Sequence, residues 1–109
     1  MGAIENFEAM LARGQDNDML RFTLGNAYWK EKNAAKAVEH LRAAVEFNPD
    51  YSAAWKVLGR ALAAQEQLEA AREAFNSGLQ AAAKKGDKQN EKEITVFLKR
   101  VNKQLDSSD

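Results

Sequence analysis

Apolar and small residues recur along nearly the whole chain at the spacing of an amphipathic helix. From Leu24 onward they fall at positions 24, 25, 28, 37, 38, 41, 44 and 45, which is the i, i+3, i+4, i+7 pattern of one helix face. No segment alternates apolar and polar residues over the length of a strand, and β-branched residues are sparse. The pattern therefore predicts an all-α protein.

Residues that begin and end helices divide this pattern into segments. Gly14 and Gly86 stand where a left-handed C-terminal cap is expected, and Asn17 or Asp18 is a candidate N-cap. Pro49 disfavours helix at the residue before it and restarts the chain. Short connections between helices favour antiparallel neighbours. The predicted helices are 3–13, 18–31, 34–47, 52–65, 68–85 and 88–105.

The chain repeats itself with a period of 34 residues. Leu24 and Gly25 recur as Leu58 and Gly59. Further identical pairs follow at the same interval: Ala27/Ala61, Ala37/Ala71 and Glu39/Glu73. One helix–turn–helix fits in each period, and a fixed period of this length is typical of stacked helical repeats.

These residues resemble the tetratricopeptide repeat, whose unit carries W-x₂-L-G-x₂-Y, then alanine, a large apolar residue, a second small residue and a late proline. The positions that match it are Leu24, Gly25, Tyr28, Ala37, Leu41, Ala44 and Pro49 in the first unit, and Trp55, Leu58, Gly59, Ala71, Phe75 and Gly78 in the second. Arg21, Leu62 and Ala83 depart from the pattern.

The resemblance implies an antiparallel helix-hairpin α-solenoid of about six helices, in one domain covering residues 1–109. Residues 3–17 correspond to the second half of a unit, and residues 18–51 and 52–85 are two full units. We interpret the amphipathic helix 88–105 as the cap that covers the last apolar face of such an array.

Composition narrows the classes of function. Lys+Arg and Asp+Glu each number 16, and this balance argues against a nucleic-acid-binding protein. The chain has no cysteine, so disulfides and thiolate metal sites are excluded. No run approaches the roughly 20 apolar residues of a membrane span. Residues 1–11 carry acidic groups where a secretory signal has basic ones, so a cytoplasmic location is expected.

No residue pattern indicates catalysis. His40 is the only histidine, and a catalytic or metal role needs a second histidine, a cysteine or converging carboxylates. We expect His40 to be a surface or boundary residue. The glycines are isolated and form no phosphate-binding loop. The sequence therefore predicts a non-enzymatic protein with no catalytic residue, cofactor or metal.

The resemblance also implies a concave groove lined by the first helix of each pair. Positions in each unit are counted from its first residue, 18 or 52. Helical geometry turns positions 5, 9 and 12 of a unit toward this groove. The candidate partner-binding residues at these positions are Phe22, Asn26, Trp29, Lys56 and Arg60. Trp29 is a candidate anchor because the neighbouring Tyr28 takes the structural position. Lys56 and Arg60 stand one turn apart, and an anionic ligand would offset their repulsion.

Each of these assignments has an alternative. The sequence also agrees with packing of Trp29 on the N-terminal helix or the loop. It agrees equally with ordinary solvation of Lys56 and Arg60, with glutamates nearby. Some proteins with this fold hold a C-terminal carboxylate with a lysine/asparagine clamp. Asn26 matches that clamp, but Phe22 and Val57 replace two of its polar residues.

The predicted function is a protein-interaction module that binds a peptide or partner segment in its concave groove. The partner is expected to carry an acidic group and an apolar anchor, with no nucleic acid or membrane involved. The alternative is a self-associating scaffold or assembly subunit that uses an exposed terminal helix face. A monomer or weak homodimer is expected, and the sequence does not identify the partner.

Overall fold

The computed structural model describes residues 2–107, and this part of the chain folds into six α-helices without a strand. The helices are α1 (Ala3–Ala12), α2 (Asp18–Lys30), α3 (Ala34–Phe47), α4 (Ser52–Ala64), α5 (Leu68–Lys85) and α6 (Lys88–Asp106). The predicted all-α class is confirmed. Every helix begins at its predicted residue. α1, α2 and α4 end one residue earlier than predicted, because Arg13, Glu31 and Gln65 serve as their C-caps. α6 ends one residue later, at Asp106.

The helices form two layers. α2 packs against α3 and α4 against α5, and α3 contacts α4 between these hairpins. α1 packs on α2, and α6 packs on α5 and also touches α4. α2, α4 and α6 therefore lie side by side, in a body that measures 45 × 30 × 19 Å. No helix within residues 2–107 is long and apolar enough to cross a lipid bilayer.

Local side-chain chemistry sets the helix starts. Asn17 accepts a 2.8 Å hydrogen bond from the amide of Leu20, and Asn33 accepts one of 3.2 Å from the amide of Lys36. Each bond satisfies an amide that has no partner inside its helix. Gly86 follows α5 in the left-handed conformation, with φ of 70°. This backbone geometry suits glycine, as predicted for a C-terminal cap.

The turn between paired helices recurs with the sequence period. Lys32 and Glu66 stand 34 residues apart and both have positive φ, 63° and 62° respectively. Each lies between the two helices of a hairpin, just before the N-cap residue of α3 or α5. Because non-glycine residues rarely adopt this conformation, its recurrence indicates that the two hairpins use the same turn geometry.

Two helical glycines let the helices of each hairpin approach closely. A Cβ atom on Gly25 would lie 2.5 Å from Leu41 Cγ, and one on Gly59 would lie 2.4 Å from Phe75 Cε1. Leu41 and Phe75 are almost completely buried. The repeated Leu-Gly pair is thus a packing feature, in which a missing side chain on one helix accommodates a large one on its partner.

α1 is less deeply packed than the other helices. None of its residues is fully buried. Its apolar side chains are each only partly covered: Ile4, Phe7, Met10 and Leu11. α1 therefore leaves part of an apolar face at the end of the stack without a covering helix.

Candidate binding groove

A cavity of about 300 Å³ opens on the α2/α4/α6 layer. Its walls come from all three of these helices, and Phe75 of α5 also contributes to the lining. We call it the groove cavity. The residues of α2, α4 and α6 that line it include Trp29, Arg60, Ala63, Phe97, Arg100 and Gln104. Concave, largely apolar sites with a few polar groups are the usual form of a ligand-binding pocket.

The 34-residue period explains how the groove cavity arises. Trp29, Ala63 and Phe97 occupy the same position in successive helices of this layer, each 34 residues after the last. At this position the middle helix contributes only a methyl group, whereas both neighbours contribute an aromatic ring. The small side chain of Ala63 therefore leaves room in the lining of the groove cavity.

Two arginines lie over these aromatic rings. The guanidinium carbon of Arg60 is 5.4 Å from the centroid of the Trp29 ring and 4.5 Å from that of Phe97. The guanidinium carbon of Arg100 is 5.6 Å from the same Phe97 centroid. These distances are typical of cation–π contacts. The cavity therefore combines an aromatic surface with two positive charges.

The positive charge of Lys56 is engaged inside the protein. Its Nζ atom donates a 2.6 Å hydrogen bond to Oε1 of Glu93 on α6. This bond, together with one from Gln89, lowers the pKa of the Glu93 carboxyl. A second polar contact joins the same helices near their N-termini, where Ser52 donates a 2.8 Å bond to Asp87. Lys56 thus fastens α6 to α4.

The two remaining predicted residues, Phe22 and Asn26, lie nearer the N-terminus of α2 than Trp29 does. Phe22 packs against Tyr51, with ring centroids 4.9 Å apart, and both rings lie beside the core. Asn26 is half-buried one turn later. Of the five predicted residues, the structure brings Trp29 and Arg60 together at one cavity. Phe22 and Lys56 instead contact other residues of the chain, and a binding role for all five stays a prediction.

Phe97 and Arg100 line the groove cavity but are not among the predicted binding residues. The sequence predicts α6 only as a cap, although this helix supplies one wall of the groove cavity. A signal was available for Phe97, because extending the period from Trp29 through Ala63 reaches it directly. Arg100 has no such signal, since residues 32 and 66 at the equivalent positions are Lys32 and Glu66 in the turns.

The prediction that His40 lies at the surface or boundary is wrong. Its side chain is 2% exposed and stacks on the Tyr28 ring, with centroids 5.5 Å apart and planes 3° from parallel. The reason is pairing with residues of another helix: Arg21 of α2, itself bound to Asp16, places Nη1 3.1 Å from Nδ1 of His40. A guanidinium only donates, so Nδ1 accepts and the proton of the neutral ring resides on Nε2.

This cluster ties α1 to the first hairpin. The Tyr28 hydroxyl donates a 2.5 Å hydrogen bond to Oε2 of Glu8, and the bond raises the pKa of Tyr28 to about 12. Nε2 of His40 has no hydrogen-bond partner among residues 2–107. Its nearest carboxylate oxygens are 3.7 Å away in Glu8 and 3.9 Å away in Glu39.

The buried imidazole makes stability depend on pH. Burial lowers the pKa of His40 below its ordinary 6.5, although Glu8 and Glu39 oppose this shift. The unfolded chain then binds a proton at a higher pH than the folded chain does, so stability rises with pH in this window. We expect the free energy of unfolding to fall as the pH decreases from about 7 to about 5.5.

Urea unfolding followed by circular dichroism at several pH values measures this effect. The matched variant is His40→Asn, whose Oδ1 keeps an acceptor near Arg21 but does not titrate. Its stability should change less over the same pH range. Parallel pH profiles of the two proteins would show that His40 does not cause the dependence.

Within residues 2–107, no three or more histidine, cysteine, aspartate or glutamate side chains form a group able to hold a metal ion.

Comparison with known proteins gives a consistent result. The family model described as "Tetratricopeptide repeat" matches residues 1–52 and 22–86. The chain is 51% identical over 100 residues to the TPR repeat-containing protein PA0015 of Pseudomonas aeruginosa, covering 92% of this chain and 95% of that protein.

Solved structures agree with the sequence comparisons. Protein BPP2914 from Bordetella parapertussis is 48% identical, with a TM-score of 0.81 over 95% of this chain and 90% of that one. The first TPR of Spaghetti (RPAP3), bound to the HSP90 peptide SRMEEVD, is 26% identical. Its TM-score is 0.84, and the match covers 96% of this chain and 79% of that one.

Proposed function

Since the chain belongs to the tetratricopeptide repeat family, whose members are generally non-enzymatic protein-interaction modules, we propose that it binds a segment of a partner protein in the groove cavity. The observation that carries this proposal is the arrangement of Trp29, Arg60 and Phe97 around the small Ala63. Aromatic and arginine side chains at the centre of an interface are the residues that most often dominate binding.

The partner segment we propose carries an acidic group and an apolar anchor. Trp29 and Phe97 offer an apolar surface, and the Arg60 guanidinium lies against both rings. The structure of Spaghetti (RPAP3) supports the same kind of ligand, because the peptide bound there, SRMEEVD, combines apolar and acidic residues. The cytoplasmic location stays a prediction from the sequence.

A displayed peptide library tests whether the groove cavity is the binding surface. Peptides selected on the unmodified protein would be measured against Ala63→Trp, which puts a large side chain into the lining of the groove cavity. We expect this variant to bind the selected peptides at least about tenfold more weakly, because the cavity is occupied. Isothermal titration calorimetry provides the affinities, and circular dichroism checks that the variant remains folded.

The matched control is Ala83→Trp, which adds the same side chain at an exposed position of α5. It should bind the selected peptides with unchanged affinity. If the peptides bind Ala63→Trp as tightly as the unmodified protein, the groove cavity is not their site and the proposal is rejected.

Self-association is a second candidate function, favoured by the incomplete covering of α1. Ile4, Phe7, Met10 and Leu11 are only partly buried, and α1 packs chiefly on α2. A second copy covering this face would account for their apolar character. Light scattering of the same samples over a range of concentrations distinguishes the candidates, since a monomer at high concentration rejects self-association.

A further inference from the structure

We propose that Arg60 and Arg100 together bind one carboxylate group of the partner, and that this carboxylate stands next to an apolar side chain seated on Trp29 and Phe97. The inference rests on the proposed function and specifies which chemical group the groove cavity recognises. It assigns a binding role to α6 in addition to its covering of the stack. The occupant is an acidic, apolar-containing segment of a partner protein.

The first support is the pairing of charges around the groove cavity. Lys56 is neutralised by Glu93 at 2.6 Å. By contrast, no carboxylate oxygen within residues 2–107 lies within 4.0 Å of a guanidinium nitrogen of Arg60 or Arg100. The positive charges available to a ligand in the groove cavity are therefore those of Arg60 and Arg100, and not that of Lys56.

The second support is the geometry of the two guanidiniums. Both lie over the Phe97 ring, at 4.5 Å for Arg60 and 5.6 Å for Arg100. Two like charges close to the same ring repel each other, and an anion that contacts both guanidiniums lowers that repulsion. A guanidinium that covers an aromatic face still directs N–H donors outward in its own plane, where a carboxylate accepts them in pairs.

The third support is the character of the walls, which favours a carboxylate over a phosphate group. Trp29, Ala63, Phe97 and Val101 give the cavity an apolar lining. Removing a doubly charged phosphate from water beside such walls is more unfavourable than removing a singly charged carboxylate. The same walls need an apolar group from the ligand next to its acidic one. A glutamate beside a leucine or phenylalanine supplies both groups within one short segment.

A pair of capped pentapeptides provides the probe. The first contains glycine, leucine, glutamate, phenylalanine and glycine in that order, acetylated and amidated so that the glutamate is its only charge. The second has glutamine in place of glutamate. Nuclear magnetic resonance monitors the indole N–H signals of the two tryptophans during titration. Trp55 is an internal reference, because its indole N–H donates a 2.8 Å bond to the carbonyl of Pro49 and does not line the groove cavity.

We expect the glutamate peptide to shift the Trp29 signal in a saturable manner and to leave the Trp55 signal unchanged. The glutamine peptide should bind about tenfold more weakly, since it lacks charge-assisted hydrogen bonds. Arg60→Gln and Arg100→Gln should each weaken binding of the glutamate peptide by about tenfold. The control Lys99→Gln removes a charge from an exposed neighbouring position on α6 and should change the affinity less than about twofold.

Equal binding of the two peptides, or unchanged binding by both arginine variants, overturns the proposal. So does the absence of any Trp29 shift with either peptide. Displacement of the peptide by inorganic phosphate, at an ionic strength held constant with chloride, would overturn the preference for carboxylate. The proposed function has a separate test. If library peptides bind Ala63→Trp more weakly but bind Arg60→Gln and Arg100→Gln with unchanged affinity, the groove cavity is retained as the binding surface. Only the carboxylate site is then rejected.

Discussion

Replacing Phe75 with alanine is expected to lower the free energy of unfolding by about 3–5 kcal/mol. Phe75 is 1% exposed and has the largest side chain among the fully buried residues. Its ring lies against Gly59 of α4 and is 6.0 Å from the ring of Phe97 on α6. Loss of the ring would therefore leave a cavity where the second hairpin meets α6, which the surrounding helices fill only in part.

Urea unfolding monitored by circular dichroism measures this loss. Domains of this size have a total stability of about 5–15 kcal/mol, so the variant is expected to be marginally folded. The matched control is Phe47→Ala, which removes the same ring from a position that is 54% exposed. It should cost less than about 1 kcal/mol. Similar losses in the two variants would contradict the role assigned to Phe75.

Gly59→Ala is expected to destabilise the protein by about 2 kcal/mol, although alanine is the better helix former. The higher helix propensity of alanine favours the variant by about 1 kcal/mol. The new Cβ, however, would lie 2.4 Å from Cε1 and 2.5 Å from Cδ1 of the buried Phe75 ring. Overpacking of this kind typically costs 1–3 kcal/mol or more, and the rigid ring has little room to move.

A double-mutant cycle with Phe75→Leu tests this cause. In the Phe75→Leu background the smaller side chain leaves space for the new methyl group, so Gly59→Ala should cost less than it does alone. The same urea experiment measures all four proteins. Additive losses would mean that the destabilisation does not arise from the contact between Gly59 and Phe75.

The sequence predicts the helices well because their boundaries depend on short-range chemistry. Asn17 accepts a hydrogen bond from an amide three residues away, and Gly86 adopts a left-handed conformation that suits glycine. The comparisons confirm the resemblance to the tetratricopeptide repeat. The motif could be recognised in the sequence because its residues make the close contacts within a hairpin, such as that of Gly59 with Phe75. The exact division of the chain into repeat units stays a prediction.

The groove cavity was only partly predictable, because it depends on contacts between residues far apart in the chain. The helical positions of Trp29 and Arg60 are enough to predict that both face the groove. They do not predict that Lys56 pairs with Glu93, 37 residues later. The burial of His40 was missed for the same reason, since it requires Tyr28 and Arg21 from another helix. A single sequence predicts which side of a helix a residue lies on better than it predicts which residue of another helix it contacts.

The position of α6 has a consequence for experiments that map binding by deletion. Phe97 and Arg100 form one wall of the groove cavity, and Lys56 is held by Glu93 of the same helix. A chain shortened at Gly86 would still contain both hairpins, but it would present Trp29 and Arg60 on an open surface and release the ammonium group of Lys56. If such a fragment did not bind the partner, the missing wall of the groove cavity would explain this as well as lower stability would. If the fragment bound anions, the cause would be the unpaired Lys56, which is paired in the full chain.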